Sequence, residues 1–195
     1  SQGNYLWNYI KWWWSQVAAR YAGRTVIAGY DLENEMYWPT PMHDELFAMI
    51  KTLDPYVIGF YCSPSCDTSW LSETKPQVQA NVVWAPHSYF MRPDDTYYQV
   101  DYDRTEDPSG LRSSITQVVN TLQNMYGAPI LWGEILCYDA NSLNDTLYVD
   151  DSLSIFESLG QPNWAYWSYA KSDMTPSTFP RDAAGNDKAI VSVLE

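Results

Sequence analysis

The feature that most constrains the fold of this chain is a repeated change of period. Stretches with apolar residues every three or four positions alternate with short, unbroken apolar runs. Leu6, Ile10, Trp13, Trp14, Val17 and Tyr21 mark a first helix, and Gly23 is its stop signal. Thr25 to Leu32 then reads as a strand that ends in Glu33-Asn34-Glu35. Thr40-Pro41 opens a second helix through Leu46, Phe47, Ile50 and Leu53, and Asp54-Pro55 closes it ahead of a strand from Tyr56 to Tyr61. No helical period is visible from Cys62 to Asn81. Val82 to Tyr89 is the third strand, followed by a polar, acidic loop from Arg92 to Pro108. A helix from Leu111 to Tyr126 leads into the strand Ile130 to Ile135. A short helix marked by Leu153, Phe156 and Leu159, a strand from Trp164 to Tyr169, and a last helix from about Asp187 to Leu194 complete the chain. Helices alternating with strands predict a parallel α/β sheet. Without internal repeat, low-complexity tract or linker, residues 1–195 read as one domain.

In a parallel barrel, catalytic groups stand where strands end and loops begin. The predicted strands deliver polar or aromatic groups at those ends: Asn34 and Glu35 from the first, His87 and Tyr89 from the third, Glu134 from the fourth, Trp167 from the fifth. Two carboxyl groups about 5–5.5 Å apart are what a configuration-retaining glycosidase requires, one to protonate the leaving oxygen and one to attack the sugar carbon. Glu35 and Glu134 can supply them from opposite sides of a closed barrel. Taken singly, each residue has a plainer role open to it. Glu35 can be a solvated or helix-capping carboxylate, His87 a satisfied buried histidine, Tyr89 and Trp167 structural. Glu33 competes with Glu35, because alternation along a strand can put both on one face.

Composition narrows the partners. A net charge of −13, from 24 acidic and 11 basic residues, repels nucleic acid and anionic lipid. Ten Trp and sixteen Tyr supply stacking surfaces suited to neutral ring-shaped ligands such as sugars. Trp38, Trp70, Trp84 and Trp132 are expected in the core or the cleft wall. Cys62 and Cys66 are spaced to close a small loop in an oxidising compartment. As half of a zinc site they lack a second ligand pair, since the histidines are His43 and His87, so no metal is expected. No apolar run has the length of a membrane span, and an export signal would lie upstream of Ser1.

Tyr30-Asp-Leu-Glu-Asn-Glu35, Trp84-Ala-Pro-His-Ser-Tyr89, Pro129-Ile-Leu-Trp-Gly-Glu134 and Trp164-Ala-Tyr-Trp-Ser168, in that order, resemble strands four, six, seven and eight of glycoside hydrolase family 5, the cellulase-like family. Leu53-Asp-Pro55 ahead of strand five and Ala184-Gly-Asn-Asp-Lys188 before the last helix are similar too. The resemblance implies a (β/α)8 barrel, of which this chain supplies strands four to eight. It implies Glu35 as general acid/base and Glu134 as nucleophile. Asn34 would bind the 2-hydroxyl of the attacked sugar, His87 and Tyr89 would hydrogen-bond around the carboxylates, and Trp167 would form the floor under that sugar. No cofactor is implied.

The expected activity is endo-acting hydrolysis of a β-linked glucan or mannan by double displacement, outside the cell, with Tyr37-Trp38 and Tyr97-Tyr98 as stacking platforms. A glycolipid-cleaving or exo-acting enzyme, a carbohydrate-binding pseudo-enzyme and an assembly subunit are the competing expectations. The family usually has Pro after the acid/base and often Phe-Gly after the nucleophile. Met36 and Ile135-Leu136-Cys137 stand there instead, beside the catalytic groups, and bear on subfamily and substrate. An eight-stranded barrel takes about 250 residues, so three strands, with the Arg and His that the family draws from them, are expected from an upstream segment or another chain.

Overall fold

A computed structural model describes residues 2–35, 40–62, 80–94, 96–127, 129–167 and 188–194. In chain order the elements are α1 (Gln2–Tyr21), β1 (Gly29–Asp31), α2 (Thr40–Leu53), β2 (Ile58–Tyr61), β3 (Val82–Trp84), α3 (Pro108–Tyr126), β4 (Trp132–Ile135), α4 (Leu143–Ser158), β5 (Trp164–Tyr166) and α5 (Val191–Leu194). Among the described residues every pairing between these strands is parallel, as the alternation predicts. β1, β2 and β3 form one sheet in that order, and β4 pairs with β5 in a second. Isolated parallel bridges join Trp84 to Ile130 and His87 to Glu134. Backbone hydrogen bonds from Leu131 to Trp84, Gly133 to Pro86 and Ser88 to Glu134, at 2.8, 2.9 and 2.8 Å, complete the seam. The two sheets are therefore one arc of five parallel strands in sequence order.

Between neighbouring strands the chain must cross over, and the helices bury their apolar stripes against the sheet in doing so. Leu46, Phe47 and Ile50 of α2 are fully buried, each contributing about 1.5–3 kcal/mol. A side chain at Gly59 would place its Cβ 2.7 Å from the Phe47 ring, so glycine is what lets α2 lie this close to β2. On the other side, Trp132 of β4 stacks on Phe156 of α4 with centroids 4.2 Å apart and planes 9° from parallel. Because β4 also carries Glu134, this stack seats a site residue. Trp132→Ala is expected to cost about 3–5 kcal/mol, measured as a lowered urea midpoint with unchanged slope.

Several boundaries differ from the sequence expectation. The first strand begins at Gly29, not Thr25, because Ile27 N–H closes a turn onto Arg24 O and Val26 is 87% exposed. In α1, the packed stripe is Trp7, Ile10, Trp14, Val17 and Ala18, whereas Leu6, Trp13 and Tyr21 are exposed. α4 starts ten residues before Leu153, where the Ser142 side chain accepts from Asp145 N–H as an N-cap. Its inward positions include Asp145, Thr146 and Ser152, and these polar residues hide the apolar period. Val82 to Tyr89 is strand only as far as Trp84, with His87 touching β4 through the single bridge. Among the described residues no helix is long and apolar enough to cross a membrane. Trp38, Trp70, Cys66 and Tyr37 lie outside the described residues, as does Asp187. Trp84 and Trp132 are fully buried core.

Candidate active site

Parallel strands present their unpaired ends at the same edge of the sheet, so the segments following β1, β2, β3 and β4 converge. Glu35 stands past the end of β1 in the left-handed backbone region, with φ +54°. That conformation is uncommon for a residue with a side chain, and it turns the Glu35 carboxyl toward the third strand. There His87 Nδ1 lies 2.6 Å from Glu35 Oε1 and 3.3 Å from Glu134 Oε2. The ligating atoms of Glu35, His87 and Glu134 all lie within 4.8 Å of one another.

Glu134 is held from several sides. Its carbonyl accepts both the backbone N–H and the hydroxyl of Ser88, at 2.8 and 2.9 Å. Its Oε2 accepts the Tyr89 hydroxyl proton. Burial, and after it the bond to Glu134, push the Tyr89 phenol far above its ordinary value, so it is a donor at any physiological pH. Tyr148 in turn donates its hydroxyl to Ser88 O, tying α4 to this segment. A Cβ on Gly133 would come within 3.1 Å of Ala85 O and 3.3 Å of His87 Cδ2. The glycine before Glu134 is thus what admits the histidine ring.

The two carboxylates differ in exposure. The Glu35 side chain is 41% exposed and that of Glu134 11%. One carboxyl faces solvent and the other is sunk and clamped, an asymmetry suited to a proton carrier beside a fixed nucleophile. The three ligating groups can be asked whether they frame an ion instead. Two ligands on a tetrahedral zinc, each about 2.0–2.1 Å from it, stand roughly 3.3 Å apart. The 2.6 Å contact between His87 and Glu35 is shorter and matches a charge-assisted hydrogen bond.

Of the sequence-derived residues, Glu35, His87, Tyr89 and Glu134 therefore meet in one cluster. Asn34 is exposed beside Glu35, and its side chain makes no hydrogen bond among the described residues. Trp167 follows β5, which pairs with β4, and its backbone N–H bonds Ile135 O at 2.8 Å while its side chain is 50% exposed. Neither side chain hydrogen-bonds Glu35 or Glu134 among the described residues. Glu33 is not part of the cluster. Its Oε2 is buried without a hydrogen-bond partner among the described residues, and the lost hydration pushes its carboxyl from 4.5 up to about 8.

Between those two values the folded state binds more protons at Glu33 than the unfolded state does, so its contribution to stability is present below the lower value and lost as pH rises through the upper one. Glu33→Gln is expected to raise Tm at pH 8 while leaving it nearly unchanged at pH 4. Equal shifts at both pH values in scanning calorimetry would refute this.

The loops beside the cluster are built rather than loose. Arg92 reaches both carboxylate oxygens of Asp107, at 3.2 and 2.8 Å, and also the carbonyls of Tyr97, Val100 and Asp101. Buried Asp145 accepts the backbone N–H groups of Asp101 and Asp139, joining the loop after β3 to the loop after β4. The Asp107 carboxylate of the acidic loop thus serves architecture. Tyr97 and Tyr138, 42% and 61% exposed, project from these two loops.

Cys62 is the member that sequence reasoning assigned elsewhere. It follows β2 directly, and its Sγ lies 3.2 Å from His87 Nε2. Its place at a strand end was the available signal, masked by the nearby Cys66. The proposed partner Cys66 lies outside the described residues.

An arc of parallel strands crossed by helices, with carboxylates at the carboxyl ends of β1 and β4, is the architecture of part of a (β/α)8 barrel. Solved structures bear out the fold. Endo-glycoceramidase II from Rhodococcus sp. superposes with a TM-score of 0.72 at 17% identity, over 97% of this chain and 45% of that one. That enzyme has also been solved as a lactosyl-enzyme intermediate, with a TM-score of 0.69 at 17% identity over 97% of this chain and 45% of that one. Thermotoga maritima Cel5A, solved with cellobiose, gives 0.74 at 14% identity, over 97% and 66% of the two chains. Pseudomonas stutzeri endoglucanase Cel5A gives 0.76 at 16%, over 96% and 60%. The chain spans about half the length of the endo-glycoceramidase it matches. No protein-family model and no curated protein matches the sequence.

Proposed function

We propose that this chain carries the catalytic pair of a retaining β-glycoside hydrolase, acting on a β-linked glucan or mannan outside the cell. The observation that carries the proposal is the approach of Glu35 and Glu134 to within 4.8 Å between their oxygens, around His87. An inverting enzyme keeps its carboxyl groups about 6.5–9.5 Å apart to admit a water between them. The closer approach of Glu35 and Glu134 favours the retaining arrangement.

In the first step the Glu134 carboxylate attacks the anomeric carbon, and the glycosidic C–O bond breaks as Glu35 gives its proton to the departing oxygen. Glu134 Oε2 is occupied by Tyr89, which leaves Oε1 to form the bond to sugar. In the second step a water gives its proton to Glu35 and attacks the same carbon, which returns Glu134 as a carboxylate. Asn34, adjacent to Glu35 in the chain, and Trp167, following the strand that pairs with β4, are the candidates to hold the sugar, with Tyr97 and Tyr138 as outer stacking surfaces. The outer edges of β1 and β5 have no strand partner among the described residues. The complete catalytic unit then includes further strands that close the barrel.

A glycolipid head group is the second substrate class, favoured by the similarity to endo-glycoceramidase II. Proton NMR of the product formed first from a β-linked oligosaccharide tests the reaction, and a panel of glucans, mannans and glycosphingolipids tests the substrate. Release of the β-anomer supports double displacement. Release of the α-anomer defeats it.

A further inference from the structure

Cys62 makes two contacts at once. Its sulfur lies 3.2 Å from His87 Nε2, and the backbone N–H of Glu35 hydrogen-bonds to the same sulfur. The other ring nitrogen of His87 faces the carboxylates, 2.6 Å from Glu35 Oε1 and 3.3 Å from Glu134 Oε2. A neutral imidazole has one N–H and one bare nitrogen, and the group bonded to one nitrogen decides the state of the other. A bare Nδ1 would point its lone pair at two carboxylates. A bare Nε2 would point at a thiol, which has a proton to give. A thiol can accept from the Glu35 amide on its lone pairs and give its S–H to the histidine at the same time.

We infer that Cys62 is a positioning residue of this site: its thiol donates to His87 Nε2, holds the ring as the Nδ1–H tautomer, and aims that proton at Glu35 Oε1. Burial keeps the sulfur protonated, pushing the thiol up to about 12 despite the Glu35 amide. The same sulfur anchors the left-handed backbone of Glu35. Cys62 thus links the strand carrying the acid to the histidine that orients it.

For the proposed reaction, on which this functional consequence rests, the tautomer selects an oxygen. With Nδ1–H donating to Oε1, the proton of the acid form sits on Glu35 Oε2 and is available to the leaving group. With the opposite tautomer, Glu35 would donate that proton into the ring.

The test is the protonation state of His87 in the whole protein that carries this sequence, read by two-bond proton–nitrogen correlation of 15N-labelled imidazole at pH 7. His43→Gln identifies the His43 signals and His87→Gln those of His87. The wild type is expected to show neutral His87 protonated at Nδ1. Cys62→Ser is expected to keep that pattern, and Cys62→Ala to bring Nε2 protonation into view. In parallel, kcat on oligosaccharides should fall about 10- to 100-fold in Cys62→Ala, with KM little changed and partial rescue in Cys62→Ser.

Nε2–H or imidazolium in the wild type overturns the proposal, as does a Cys62–Cys66 disulfide in a thiol titration of the native protein, or an unchanged tautomer in a folded Cys62→Ala. If Cys62→Ala does not fold, the wild-type spectrum and Cys62→Ser decide. The expected tautomer pattern without hydrolysis of any glycoside would leave the positioning role standing and defeat the glycosidase.

Discussion

Glu134→Gln is expected to reduce turnover of oligosaccharides by roughly 10⁴- to 10⁶-fold, the scale seen when an enzyme loses its covalent nucleophile. An amide nitrogen and carbonyl in place of a carboxylate are too weakly nucleophilic to attack the anomeric carbon. The side chain keeps its shape, and the Tyr89 hydroxyl that bonds Oε2 can bond the amide oxygen instead. Stability should therefore change little, which separates chemistry from folding. Intact-mass measurement after treatment with an activated 2-fluoro-glycoside provides the direct check. The wild type should gain the mass of one glycosyl group, and the variant none. A labelled Glu134→Gln protein would remove Glu134 from the nucleophile's role.

Glu35→Gln should behave differently although it changes the same functional group. Lost general acid catalysis costs about 10²- to 10⁴-fold, but only where the leaving group needs a proton. Oligosaccharides should show the full loss. Aryl glycosides with acidic phenols should still form the glycosyl-enzyme at close to the normal rate. That intermediate then waits for a water that no base deprotonates, so a burst of phenol followed by a slow steady state is expected in stopped-flow measurements. The solvent exposure of Glu35, 41% against 11% for Glu134, fits a group that must exchange its proton with both leaving group and water. Equal losses on both substrate types, without a burst, would assign the acid elsewhere.

The two variants probe residues that sequence reasoning placed at strand ends. That placement needed only local information, because a short apolar run followed by Asn34-Glu35 or by Glu134 marks where a buried strand meets a loop. The order of four such segments carried the resemblance to a hydrolase barrel, and solved structures bear out that fold at 14–17% identity. Boundaries were less legible. A paired strand requires a neighbour, and Val26 has the composition of a strand residue but is exposed in a turn. The first half of α4 shows no apolar period for the opposite reason, since Asp145, Thr146 and Ser152 occupy its buried positions.

What the sequence determined by itself is the alternation of helices and parallel strands, and with it the edge of the sheet where Glu35, His87, Tyr89 and Glu134 come out. Both follow from stretches of period 3.6 alternating with short unbroken apolar runs, which the chain spells out locally. What tertiary structure alone decided is contact across the arc. The contact between Glu35 and His87, the bridge between His87 and Glu134, and the seat of Cys62 against His87 Nε2 join residues that lie 25 or more positions apart. No local pattern encodes such a distance. It depends on how tightly β2, β3 and β4 pack, down to the missing side chain of Gly133 that leaves room for one imidazole ring.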